Sequence, residues 1–234
     1  MLVNLNPNFP ALDAPPFRLS GAVYGALLNH PGEVAALGDA ARQPPYKAPP
    51  QAPVLTVRPR NTLRWMSDAP VAVPPGVEQL VVHASLAIII GRPASRVPVA
   101  QALDWIAGYT LALDLRVPHD SHYRPALRFM AHDGFCTLGP RVVPAVDVPQ
   151  PDALPLALQV GGQLVQASST AGRTRSVAQL LADVTDFMTL SPGDVLLLGS
   201  SPGAPLAAAG QDVCVSHPVL GQLSLRLVAE GAAA

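Results

Sequence analysis

Three groups of residues in this chain are of types and spacings that could do chemistry. The first is Gly199-Ser200-Ser201-Pro202-Gly203, which satisfies the GxSxG pattern and follows an apolar run, as the elbow of a serine hydrolase does. In that elbow the residue after the nucleophile donates its backbone N–H to the oxyanion, and Pro202 has none to give. Asp212 and His217 imitate the remainder of a triad, but a spacing of five along an extended strand points them to opposite faces. The segment therefore reads as a turn.

The second group is His83, Ser85 and Asp114. Residues 83 and 85 share one face of an extended stretch, and Asp114 lies on a neighbouring one, so the three can converge as metal ligands do. A hard cation such as Mg2+ wants several carboxylate oxygens, and the trio supplies one full charge, an imidazole and a hydroxyl. His119, His122 and His132 could add nitrogen ligands for a softer metal but have no diagnostic spacing; the alternative is that they line a pocket or a surface loop. The third group is cationic: Lys47 in YKAPP, Arg58 and Arg60 in RPRNT, Arg124 in HYRP, and Arg128. Arginine forks recognise carboxylates through paired N–H donors. Equally, such residues can tie loops to backbone carbonyls or nearby aspartates.

The elements that must position these residues are short. Proline contributes 27 of 234 residues, roughly double its ordinary share, which forbids long helices and favours many strands joined by stiff loops. With 13% charged and 49% hydrophobic residues the chain must fold, and the net charge of −1 without a cationic run argues against nucleic acid as a partner. Two cysteines, Cys136 and Cys214, form neither a disulfide framework nor a zinc spacing. No apolar stretch approaches a membrane span and residues 1–16 lack a signal-peptide pattern, so a soluble cytoplasmic protein is expected.

Along the chain, residues 1–16 read as a tail, 17–230 as a single domain and 231–234 as a frayed end. Strands are expected at 21–28, 53–59, 77–92 and 108–117. Over 77–92, Val82, Ala84, Leu86, Ile88 and Ile90 lie on one face and His83, Ser85 and Ala87 on the other. Gly161-Gly162 between two apolar runs is a hairpin signal. The stretches GEVAALGDAA, 99–107 and 176–188 read as helices, and 42–53 as a polyproline-like loop. Three short helices among ten or more strands indicate an α+β, strand-dominated roll or sandwich.

Taken together, RPRNTL, LAIIIGR, DWIAGYTLALDL, YRPALRFMAHDGFCTLGP, DFMTLSPGDVLLLG and GQLSLRLV resemble the fumarylacetoacetate hydrolase superfamily from about residue 20 to 230. More narrowly, ALLNH, YKAPP, RPRNT, YRPA and DGFC are similar to the first half of its isomerase/decarboxylase branch of 4-hydroxyphenylacetate catabolism. The resemblance implies a mixed β-sandwich roll and a divalent metal, Mg2+ or Mn2+, held by Glu-x-Glu and a later Asp. That metal would chelate a 2-oxo di- or tricarboxylate, and the enolate left by loss of CO2 would be stabilised by the cation. It further implies a substrate-binding set of Lys47, Arg58, Arg60, Arg124, Arg128 and Thr170, and a homologous metal-binding subunit or a second copy as partner. The family's two glutamates fall at His83 and Ser85, only Asp114 keeps its carboxylate, and a usual lysine is Met130. The implied metal site is thus short of two anionic ligands. Either the chain holds metal weakly, or it partners a paralogue that keeps the full set.

Overall fold

The computed structural model describes residues 13–14, 17–19, 22–119 and 126–231. Strands β1 (Asp13–Ala14) and β2 (Phe17–Arg18) pair as a two-residue ladder. The larger sheet runs in the order β4 (Val54–Arg58), β3 (Val23–Leu27), β12 (Val195–Leu197), β7 (Gln79–Ile90), β8 (Ile106–Arg116), β9 (Cys136–Pro144) and β5 (Leu63–Trp65), with β13 (Leu206–Ala208) also pairing on β7. The smaller runs β11 (Gln163–Ser169), β10 (Pro155–Val160), β14 (Asp212–His217), β15 (Gly221–Ala229) and β6 (Val71–Val73). Both sheets mix parallel and antiparallel pairs. The strand-dominated α+β architecture expected from composition is what the chain adopts.

The described residues form three α-helices, α1 (Pro31–Ala36), α2 (Leu127–Met130) and α3 (Val177–Phe187). The last buries Val177, Leu180, Leu181 and Val184, one stripe at helical spacing, and is capped by the Ser176 hydroxyl on the Gln179 N–H at 3.2 Å. Residues 99–107, whose spacing predicts a helix, form a 3-10 segment over Val99–Trp105 instead, following Pro98. At the β10–β11 turn Gly161 and Gly162 take φ +58° and +77°, the two positive values that a type I′ hairpin demands. Among the described residues no helix is long and apolar enough to cross a membrane.

The ladder that matters for chemistry is β7–β8. One face of β7 sends Leu80, Val82, Ala84, Leu86, Ile88 and Ile90 into the main core with Leu111, Leu113 and Leu115 of β8, the small-sheet strands and α3. On the other face Ala87, Ile89 and Ala112 join a second apolar cluster with Leu138, Val195 and Leu197. The register sets His83 opposite Asp114 and Ser85 opposite Ala112, so the polar residues of both strands share the remainder of that face.

Candidate active site

Asp114 is 3% exposed, and its Oδ2 accepts from three guanidinium N–H groups: Arg58 Nη2 at 2.5 Å, and Nη2 and Nε of Arg116 at 2.8 and 3.2 Å. Arg116 reaches it because residues i and i+2 of a strand share a face. Arg58 arrives as the last residue of β4 and is itself buried, with Nη1 donating to the Met130 sulfur at 2.9 Å. Burial alone would raise the Asp114 carboxyl; the charges of Arg58 and Arg116, with a smaller share from His83, hold it below the usual carboxylate range.

Beside this triad runs a second network. His83 Nδ1 lies 2.8 Å from Ser200 Oγ, and that hydroxyl donates to Glu33 Oε1 at 3.2 Å. With the serine hydrogen directed at Glu33, the matching His83 tautomer carries its hydrogen on Nδ1 and donates it to Ser200 Oγ. Burial raises the Glu33 carboxyl, against the opposing pull of the Ser200 hydrogen bond and the charges of Arg173 and Arg116. The Arg173 guanidinium donates to the carbonyls of Ser200 and Ser169. Ser85 uses its hydroxyl on Gly199, accepting from its N–H at 3.1 Å and donating towards its carbonyl at 3.2 Å. Gly199 stands at φ +97°, and a Cβ there would lie 2.9 Å from the Ala26 carbonyl oxygen, so only glycine turns the chain there. Asn29 fastens these segments: its Nδ2 donates to the Leu198 and Arg175 carbonyls and its Oδ1 accepts from the Arg175 N–H.

The structure therefore brings together His83, Ser85, Asp114 and Arg58 from the sequence-derived candidates. It does not draw in the others. Lys47 is exposed just after the turn at 44–46, at φ +69°, Arg60 is exposed beyond the end of β4, and exposed Arg128 stacks over Phe129 at 5.3 Å. The Thr170 hydroxyl is closed between the Leu154 N–H and the Pro151 carbonyl, both at 2.8 Å. Arg124 and His122 lie outside the described residues. His119 stacks on Phe129 and His132 bonds the Arg128 carbonyl. The GxSxG segment forms no triad: Asp212 pairs with Arg226 at 2.9 Å, and His217 Nδ1 accepts from the N–H groups of Val219 and Leu220. Arg116, Glu33, Arg173 and Ser200 were missed as members of the site. Only Arg116 carried a usable signal, its spacing of two from Asp114.

The donor set does not fit a divalent cation. The one carboxylate at the position of the implied ligands already has an oxygen saturated by two guanidiniums, and the Ser85 hydroxyl is committed to Gly199. A dication and a guanidinium about 5 Å apart repel by roughly 7 kcal/mol even at an effective dielectric of about 20. Among the described residues no group of three or more His, Cys, Asp or Glu side chains could hold a metal.

With fold and site described, comparison with known proteins assigns the class. Residues 22–228 match the fumarylacetoacetate (FAA) hydrolase C-terminal family, and the chain belongs to that family. It is 37% identical over 212 residues to the 4-hydroxyphenylacetate degradation bifunctional isomerase/decarboxylase of Salmonella dublin, covering 91% of this chain and 48% of that protein. The chain thus spans about half the length of that relative. Among solved structures it is similar to 5-carboxymethyl-2-hydroxymuconate delta-isomerase from Mycobacterium smegmatis, with TM-score 0.73 and 28% identity over 91% of this chain and 80% of that one. It is also similar to fumarylpyruvate hydrolase from Pseudomonas aeruginosa, crystallised with Mn2+ and pyruvate, with TM-score 0.78 and 25% identity over 92% and 91%.

Proposed function

We propose that this chain is a cytoplasmic subunit of a 5-carboxymethyl-2-hydroxymuconate isomerase / 5-oxopent-3-ene-1,2,5-tricarboxylate decarboxylase in 4-hydroxyphenylacetate catabolism. In this reading the metal-dependent chemistry belongs to a homologous chain that keeps the Glu-x-Glu ligands, and this subunit is its partner. The identity with the bifunctional relative supports the pathway, and the match to about half of that protein supports a role as one of two related parts. The observation that carries the division of labour is Asp114 Oδ2 held by Arg58 and Arg116, where a metal ligand would have to be free. In this reading the Lewis acid that stabilises the enolate is supplied by the homologous chain.

The test is an assay of the purified chain on the unsaturated 2-oxo tricarboxylate with Mg2+ or Mn2+ added, alongside Mn2+ titration followed by electron paramagnetic resonance. The chain alone is expected to bind no Mn2+ and to turn nothing over, and activity is expected when the homologous Glu-x-Glu chain is supplied. Metal-dependent turnover by this chain alone, lost in Asp114→Ala, would overturn the reading. A purely structural partner is the second reading, favoured by the engagement of Ser85 and Ser200 in fixed hydrogen bonds. It expects the homologous chain to keep full activity when Arg58 and Arg173 are replaced here.

A further inference from the structure

Among the described residues, four buried polar atoms of the two networks have no hydrogen-bond partner: Nε of Arg58, Nε of Arg173, Oδ1 of Asp114 and Oε2 of Glu33. Buried polar groups are ordinarily satisfied, and four exceptions in one connected cluster call for a common cause. They are not scattered. Arg58 and Asp114 share an ion pair, Arg116 acts on both Asp114 and Glu33, Arg173 on Glu33, and Ser200 joins Glu33 to His83, which faces Asp114 across the ladder. Glu33, His83 and Arg173 are only half-buried, whereas Arg58, Asp114, Arg116 and Ser200 lie deeper, so the cluster has an outer and an inner side.

The unmet capacity is specific in kind: two cationic N–H donors and two carboxylate acceptors. A plain carboxylate satisfies the donors and leaves the acceptors facing its own negative charge. A 2-oxo group makes this worse, since its carbonyl is one more acceptor set against Asp114. A 2-hydroxy acid, or the enol form of a 2-oxo acid, has the matching pattern, a carboxylate that accepts from arginine and an O–H that donates to a carboxylate. We propose that the Arg58–Asp114–Arg116 triad with Glu33 and Arg173 is a metal-independent binding site for the 2-hydroxy or enol form of a carboxylic acid, selecting it against the 2-oxo form. The proposal rests on the functional reading above, in which this chain's own donor set does not hold the metal. The guanidiniums supply the positive charge, and the two carboxylates supply the selectivity.

The experiment is calorimetric titration of the intact chain, in buffer containing EDTA, with L-malate and D-malate as hydroxy acids, succinate as the same skeleton without the hydroxyl, and oxalate as an anion with acceptors only. At least one malate enantiomer is expected to bind roughly tenfold or more tighter than succinate and oxalate, because a buried acceptor left unpaired penalises the analogue lacking the O–H. Arg173→Gln, at a half-buried position that the fold tolerates better than Arg58, is expected to weaken malate binding by about the same factor, and Glu33→Gln to narrow the gap between malate and succinate. Malate binding no tighter than succinate, or binding that appears only when Mn2+ replaces EDTA, would overturn the proposal. Mn2+ bound by the chain without any acid defeats the functional reading itself. Neither Mn2+ nor malate bound defeats this inference alone.

Discussion

The face of β7–β8 that carries the site has two ends under similar burial and of opposite chemistry. At one end Ala87, Ile89 and Ala112 pack into an apolar cluster; at the other Asp114, Arg58 and Arg116 form a triad with no member more than 7% exposed. The same backbone ladder and the same exclusion of water support both. The apolar end stabilises the fold by removing carbon from water, about 25 cal/mol per Å2. The ionic end takes three charges out of water, a cost that their mutual attraction offsets only while the set is complete. The difference teaches that the ionic end is a poor way to hold two strands together, which is why a binding role is proposed for its charges.

The sharpest way to break the contrast is to remove the shared anion. Asp114→Ala leaves two buried guanidiniums unpaired and is expected to cost about 3–5 kcal/mol by urea denaturation, whereas a triple variant, Arg58→Met with Asp114→Leu and Arg116→Met, is expected to recover most of that loss. At the apolar end, Ile89→Ala opens a cavity and should cost about 2–4 kcal/mol with no comparable rescue. A smaller effect lies in pH. Because Asp114 has its pKa lowered by folding, the stability it contributes is present above its ordinary value of 3.8 and is lost as pH falls through the lower folded value. Thermal melts should therefore show the native chain falling more steeply below about pH 4 than the triple variant. Smallest is Glu33→Gln. Folding raises the Glu33 pKa, so the carboxylate is penalised at neutral pH, and the variant is expected to gain about 0.5 kcal/mol there and nothing once pH falls to its ordinary 4.5.

Much of the fold was legible because periodicity and turn chemistry are local. The alternation of Val82, Ala84, Leu86 and Ile88 against His83, Ser85 and Ala87, the Gly161-Gly162 hairpin and the α3 stripe are all present as read. The site was legible only in its strand-borne half. His83 and Ser85 follow from one strand, Asp114 from the neighbouring one. Arg58, by contrast, falls beside Pro59 at the end of the strand expected over 53–59, and nothing in that spacing records that its side chain turns inward to Asp114. Glu33, Arg173 and Ser200 meet through the pairing of β12 with β7 and β3, joining residues 167 apart, and no local pattern records that. Lys47, Arg60 and Arg128 were grouped by composition, a property that carries no information about which loops converge.

Asn29 decides how this cluster behaves under stress. A single amide spends its donors and its acceptor on the strand leading to Ser200 and on the loop carrying Arg173, while its own chain continues into the helix of Glu33. Together with the bonds of Arg173 to the Ser200 carbonyl and of Ser200 to Glu33, this ties three loops into one cooperative unit. On warming, the cluster should not fray piece by piece; it should persist until the central sheet gives way and then vanish in the same step.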